Sequence, residues 1–171
     1  MEELNEVASL KHLHGIWDVA IQGSLVEIGH VEITSADLSR FLGTSKHAVM
    51  LAATLGTGVD AFMRKLMRTD MSKAVLADRL ASQMIEEYIN EVQAKMGLEG
   101  KRYSPGYGDF NIKHQQDILK MLKCEKIGLY MTESFMLVPS KSITAILPTN
   151  TLWTLKTFPP RAAQKQRFLS V

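Results

Sequence analysis

The residues best suited to chemistry stand together in Arg102-Tyr103-Ser104-Pro105-Gly106-Tyr107-Gly108-Asp109-Phe110. The run holds a cation, two phenols, a proline and two glycines. Proline fixes its own φ and lacks an amide donor. Glycine permits positive φ and lets backbone approach a ligand closely. An irregular loop with a flat aromatic, a fork-shaped guanidinium and bare backbone amides suits a small zwitterion or a nucleoside. A surface turn with tyrosine packing explains the same Pro and Gly content more simply.

Other candidates are thinner. Gly56-x-Gly58, between an apolar run and a helical pattern, has the form of a turn whose helix amides hold phosphate. Ala61 stands where the dinucleotide fingerprint accepts alanine. No acid closes a βαβ unit about 20 residues further on, so a strand-to-helix turn is the plainer reading. His12-x-His14 would share one face of a strand, but no third ligand has suitable spacing. Surface or capping histidines are expected instead. Cys124 lies in a helical pattern, far from a helix N-terminus or a paired base, and reads as a core residue. Most of the ten methionines fall at apolar helical positions, which also points to core packing. Asp109 and Glu133 are acid or base candidates with no partner in sequence. With no catalytic pair, any chemistry needs a reactive atom from elsewhere.

Several elements must position these residues. Residues 4–14 read as the start of a helix. Leu25 to Ile33 alternates, with Gly29 as a bulge or bend, and predicts a strand. Ser35 precedes a short helix over 37–42 that Gly43 ends. His47 to Leu55 is an apolar run of buried-strand length, followed by the glycine turn and a helix with Val59, Phe62, Met63 and Leu66. The longest helix runs from about Met71 to Met96. Leu76, Leu80, Met84, Tyr88 and Val92 make its apolar stripe, and Asp78, Arg79, Glu86, Glu87 and Asn90 its opposite face. Asp70 is its expected N-cap and Gly97 its stop. Ile112 to Lys126 predicts a further helix. Strands follow over 127–131, 135–138 and 142–147, with Thr132-Glu133-Ser134 and Pro139-Ser140-Lys141 turning between them. The mixed order predicts an α+β fold. It is expected as one domain over 1–147, with a mainly antiparallel twisted sheet flanked by helices, and a proline-punctuated tail over 148–171.

A chain of 171 residues, 46% hydrophobic and 22% charged, is ordinary for one domain with a full core. It contains no apolar run of about 18 residues, so no membrane span is expected. Glu2, Glu3 and Glu6 open the chain without an apolar stretch, unlike a signal peptide. A single cysteine excludes an internal disulfide and any multi-cysteine metal site, and a reducing cytoplasm is the simplest setting. The net charge of +2 is uneven. Lys156, Arg161, Lys165 and Arg167 lie in the last stretch without an acid, leaving the first 150 residues at −2. That body is not a nucleic-acid surface, and the tail reads as a solvated terminus.

Three segments together carry a family resemblance. They are Lys73-Ala74-Val75-Leu76-Ala77-Asp78-Arg79-Leu80-Ala81; Arg102-x-x-Pro105-Gly106-Tyr107; and Leu122-x-x-Glu125-Lys126 followed by Thr132-Glu133-Ser134-Phe135-x-x-x-Pro139-x-x-Ser142. Over roughly residues 47–147 the chain resembles the C-terminal activation domain of cobalamin-dependent methionine synthase, in a short, free-standing version. The resemblance implies a site for S-adenosylmethionine. Arg102 would hold the ligand carboxylate, and Tyr107 would offer its face to adenine or the sulfonium. Gly106 and Tyr103, flanking Pro105, are expected to add backbone contacts to the adenine edge. The implied activity is reductive reactivation. Cob(II)alamin takes an electron from a flavodoxin-type donor and a methyl group from S-adenosylmethionine, giving methylcobalamin. The cobalamin would be carried by a partner, a methionine synthase chain or another corrinoid protein. Cobalt is then the nucleophile, which agrees with the missing acid–base pair.

The sequence departs from the longer members. Their early acid, which serves the ligand amino group, has no counterpart here. Ser82 stands at an acidic position of the long helix, and the insert before the arginine loop is missing, so that its acid matches Glu99 only loosely. The loop continues as Gly108-Asp109-Phe110, and the resemblance fades after about Leu147, before a late tyrosine. A docking or regulatory subunit that has lost the ligand therefore stays open, as does an unrelated nucleotide-binding enzyme built on Gly56-x-Gly58.

Overall fold

The computed structural model describes residues 2–150, so the tail from residue 151 onward lies outside the described residues. The fold is α+β. Five strands form one sheet in the order β3-β2-β1-β4-β7, and every neighbouring pair is antiparallel. The strands are β1 (Lys11–Gln22), β2 (Leu25–Ile28), β3 (Val31–Thr34), β4 (His47–Thr54) and β7 (Ser142–Thr149). A separate two-stranded ribbon pairs β5 (Tyr130–Met131) with β6 (Leu137–Val138).

Helices cover both faces of the sheet. On one face lie α1 (Glu2–Val7), α3 (Thr57–Thr69) and the 25-residue α4 (Met71–Lys95). On the other lie α2 (Ala36–Leu42) and α5 (Gln115–Leu122). β4 is buried from both sides. Val49, Leu51 and Ala53 pack toward α3 and α4, whereas Ala48, Met50 and Ala52 pack toward α2 and α5. A strand covered on both faces needs apolar residues at every position, which is why its sequence is an unbroken apolar run. Each large side chain buried here contributes about 1.5–3 kcal/mol.

Local signals set most boundaries. Ser35 Oγ accepts from the Leu38 amide at 2.9 Å and caps α2. Asp70 accepts from the Lys73 amide at 3.0 Å and caps α4, each satisfying a first-turn donor. The buried side of α4 is Ala74, Ala77, Ala81, Met84, Ile85, Ile89 and Val92. Leu76, expected in the stripe, is instead 58% exposed. Ala74, Ala77 and Ala81 define the buried side of the first turns of α4, and Leu76 lies off that side.

Three other expectations change. Residues 4–14 are not one helix: α1 ends at Val7 and β1 begins at Lys11. The segment 25–33 is a hairpin of two strands that reverses at Gly29, rather than one bent strand. The helix expected over 112–126 breaks into a 3-10 turn (Ile112–His114), α5, and a second 3-10 turn (Cys124–Ile127), because Lys123 takes a left-handed conformation and stops α5. β1, the middle strand of the sheet, has no place in the expectation. Its Leu13, Trp17, Val19 and Ile21 do alternate onto the α2/α5 face. The Trp17 ring folds back over Gly15, where a Cβ would come within 2.4 Å of Cη2.

Candidate functional site: a groove between the arginine loop and the long helix

After α4 the chain reverses, and Gln93 Nε2 pins the return by donating to the Gly100 carbonyl at 2.9 Å. The loop then meets the outer edge of β7. The Tyr103 amide donates to Ile146 O at 3.0 Å and the Ile146 amide to Tyr103 O at 2.8 Å. This one-residue bridge gives the loop the alternation of a strand, sending Arg102 toward α4 and Tyr103 toward α2.

Arg102 reaches a row on the outer face of α4. Its Nη1 donates to Asn90 Oδ1 at 2.8 Å and Gln93 Oε1 at 2.9 Å, and its Nη2 to Glu86 Oε2 at 2.7 Å. Glu86, Asn90 and Gln93 are four and three residues apart, so they line one side of the helix. The arginine side chain is only 17% exposed, whereas Glu86 is 54% exposed.

Tyr103 fixes the other side of the loop. Its ring stacks on Phe41 at 5.1 Å and on Phe110 at 6.1 Å between centroids, and its hydroxyl donates to the Tyr107 carbonyl at 3.2 Å. Pro105 is buried. Gly106 has φ 97° and donates its amide to Phe110 O at 2.7 Å; the Tyr107 amide donates to Ser104 O at 3.3 Å. Tyr107 itself is 67% exposed and lines the groove. Gly108 needs to be glycine twice over. Its φ is 54°, and a Cβ would come within 2.2 Å of Asp37 Oδ2 and 2.7 Å of the Tyr103 hydroxyl.

Asp109 ties the loop to α2. Its carboxylate accepts from the Ser35 hydroxyl, from the Ala36 amide at 2.7 Å and from the Asp37 amide at 3.1 Å, while its own amide donates to Asp37 Oδ2 at 3.1 Å. The Ser35 hydroxyl, and then the α2 amides, hold this carboxyl below the usual carboxylate range. Burial, with the charges of Asp37 and Asp109 behind it, pushes the Tyr103 phenol up.

Between the loop and α4 lies a groove of about 410 Å³, lined by Glu86, Asn90, Arg102, Ser104, Tyr107 and Ile143 among others. The Tyr103 amide is used in the bridge to Ile146, and the Gly106 and Tyr107 amides are used within the loop, so a backbone contact from Gly106 to a ligand falls to its carbonyl. Beyond Glu86 the α4 row continues to Ser82 and Asp78. There Lys141 Nζ donates to Ser82 Oγ at 2.9 Å and pairs with Asp78 at 2.7 Å.

The structure thus places Arg102, Tyr103 and Tyr107 on the groove, with Pro105 and Gly106 in the same loop but not among the lining residues. Sequence reasoning did not single out Glu86, Asn90, Gln93 and Lys141 as part of it. Their signal is faint: a polar line at helical spacing on α4 that also fits a solvated face.

The remaining candidates stand apart from the groove. Gly58 is required by packing, since a Cβ there would lie 2.2 Å from the Val7 carbonyl at the end of α1. The α3 N-terminus is therefore covered by chain. His12 and His14 stack at 5.8 Å, and His12 Nδ1 lies 2.7 Å from the Tyr88 hydroxyl. Burial, then the charges of His14 and Lys95, lowers His12 to about 4. Among the described residues no group of three or more His, Cys, Asp or Glu side chains gathers as a metal site would require. Cys124 is buried, and burial pushes its thiol up to about 12. No described helix is long and apolar enough to cross a membrane.

The family profile for the vitamin B12 dependent methionine synthase activation domain matches residues 36–152. The chain belongs to this family. The match begins at α2 and so takes in Asp37 and Phe41, which brace the loop, as well as α4 and the groove. No curated protein sequence matches the chain. Among solved structures, the crystal structure of the MetH reactivation domain bound to AdoHcy is similar in fold. It is 18% identical, with a TM-score of 0.57, over 82% of this chain and 58% of that one. The activation-domain chain described here thus spans little more than half the length of that relative.

Proposed function

We propose that this activation domain binds S-adenosylmethionine in the groove beside Arg102 and presents its methyl group to a cobalamin held by a separate protein. The single observation that carries the reading is the placement of Arg102. The arginine is mostly covered and its guanidinium is oriented by three α4 side chains, with an exposed tyrosine ring on the same groove. Family membership supports it, as does the ligand in the similar MetH structure.

The roles follow from the geometry. A guanidinium has five N–H groups, of which three are engaged among the described residues. The other two are offered to the ligand carboxylate as a charge-assisted pair. Tyr107 gives a π-face to adenine or to the sulfonium cation. The Gly106 carbonyl accepts from the adenine amino group, Pro105 holds the turn, and Tyr103 braces it from beneath. The partner's cobalamin supplies the nucleophile, and the sulfonium carries its own leaving group. The chain therefore needs no acid or base, and its part is to hold the methyl in line. The partner is a methionine synthase chain or another corrinoid protein, with a flavodoxin-type protein as electron donor.

One observation favours a second reading. Arg102 already has three partners on α4, as a purely structural arginine would. The chain would then dock on a corrinoid protein without holding a ligand. Calorimetry with S-adenosylmethionine, alone and with a cobalamin-loaded partner, separates the two. Saturable binding that Arg102→Ala abolishes supports the first. Absence of binding under both conditions, or binding that Arg102→Ala leaves unchanged, ends it.

A further inference from the structure

We propose that Glu86, with Asn90 beside it, receives the α-ammonium group of the ligand, so that Arg102 and Glu86 together read an amino-acid zwitterion. The inference rests on the ligand reading above and adds a binding residue to it.

The argument begins with charge. A 2-amino acid carries its carboxylate and its ammonium on the same carbon, so it needs a cation and an anion side by side. Arg102 Nη2 and Glu86 Oε2 are 2.7 Å apart. They come from different elements, and the loop and α4 enclose the groove between them. Their exposures differ in the sense that zwitterion binding requires. Arg102 is largely covered and oriented, whereas Glu86 is half exposed at the groove lip. A carboxylate has about four acceptor positions, and Glu86 has one described hydrogen-bond partner, Arg102. Its remaining acceptor capacity is open to an ammonium. Asn90 lies one turn on, and its Oδ1, already facing Arg102, is a second acceptor for the same group. The other acid of the α4 row, Asp78, is engaged by Lys141. Glu86 is thus the carboxylate of this wall that is not consumed by a lysine. Without ligand it balances Arg102, and with ligand it exchanges part of that role for the ammonium.

The test uses the full chain, wild type and Glu86→Gln, in calorimetric titrations with four probes. Beside the sulfonium that the first two share, S-adenosylmethionine carries both charges and decarboxylated S-adenosylmethionine keeps only the ammonium; 5′-methylthioadenosine has none of the three, and S-adenosylhomocysteine, with both charges and no sulfonium, shows that a loss belongs to the ammonium. Glu86→Gln is expected to weaken S-adenosylmethionine, its decarboxylated form and S-adenosylhomocysteine by about tenfold or more, as for loss of a charged hydrogen bond. Binding of 5′-methylthioadenosine should not change. If the decarboxylated form is untouched, Glu86 only positions Arg102 and the inference fails. Equal or tighter binding of S-adenosylmethionine by Glu86→Gln also overturns it, since Glu86 would then be a mere competitor for the arginine. No binding of any probe by the wild type overturns the ligand reading along with it. Should Glu86→Gln not fold, Glu86→Asp keeps the charge but shortens its reach. It should weaken the three ammonium-bearing probes alone, and equal losses for all four would count against the subsite.

Discussion

Two glycine turns of this chain look alike in sequence and differ in what fills the space around them. Gly56-Thr57-Gly58 leads from β4 into α3, and Gly106-Tyr107-Gly108 crosses from the edge of β7 toward α2. At the first, the Val7 carbonyl occupies the place of a Cβ on Gly58, and Ser9 presses on Gly56. The turn is glycine-rich because another segment of backbone runs over it, and the helix N-terminus beneath is closed. At the second, the glycines bend the chain so that Tyr107 stands out and Arg102 faces α4. Gly108 gives way to an Asp37 carboxylate and a tyrosine hydroxyl that lock the bend in place. Glycine density marks close approach in both cases. Only the neighbours say whether chain or ligand is what approaches.

The comparison can be broken by substitution. The largest effect is expected at Arg102. Arg102→Ala removes two charge-assisted bonds to the ligand, and at about 1.5–3 kcal/mol for a hydrogen bond to a charged group affinity for S-adenosylmethionine should fall by at least about tenfold. Calorimetry reads this directly, and an unchanged affinity would leave the second turn as empty of function as the first. Gly58→Ala comes next. Forcing a methyl against backbone costs about 1–3 kcal/mol of stability, readable as a lower urea midpoint, while ligand affinity at native concentrations should hold. A loss of affinity larger than the loss of stability would make the first turn a ligand site after all. Gly108→Ala inverts the pattern. A left-handed alanine costs about 1–2 kcal/mol, and the displaced Asp37 and Tyr103 should loosen the arginine loop, so affinity drops although the core remains.

How much of this was legible follows from what each element depends on. α2, α4 and β4 were readable because a cap, a stripe and an apolar run are local signals. β1 was not, because His12, His14, Gly15 and Asp18 interrupt the alternation of Leu13, Trp17, Val19 and Ile21, and Ile16 packs on the opposite face. Its polar residues are tolerated because β1 is half-exposed along much of its length and Tyr88 meets His12. The arginine loop was legible as a motif. Its partners were not, because Glu86, Asn90 and Gln93 become a site only once the loop bridges Ile146. Before that, they are one polar face among several. Gly58 was ambiguous for a similar reason, since nothing local announces that Val7 passes over it.

Acid should separate the two turns as well, with the smallest effect. His12 lies on the α3/α4 side of the sheet with the first turn, its ring against Tyr88. Its folded value is about 4 against an ordinary 6.5. Between those limits the unfolded chain takes up a proton that the folded chain refuses, so stability falls as pH drops from about 6.5 to about 4. With partial exposure allowed for, the loss is about 1–2 kcal/mol. Asp109, which ties down the second turn, has its folded value held below the ordinary carboxylate range. Its contribution is therefore present above about 3.9 and is lost only as pH falls further, through the folded value. Urea midpoints at pH 7 and pH 5 should differ for the wild type and converge for His12→Gln. The Asp109 anchor, and with it the geometry of the arginine loop, should be intact at both. If His12→Gln keeps the full slope, the acid sensitivity lies elsewhere and His12 is not its source.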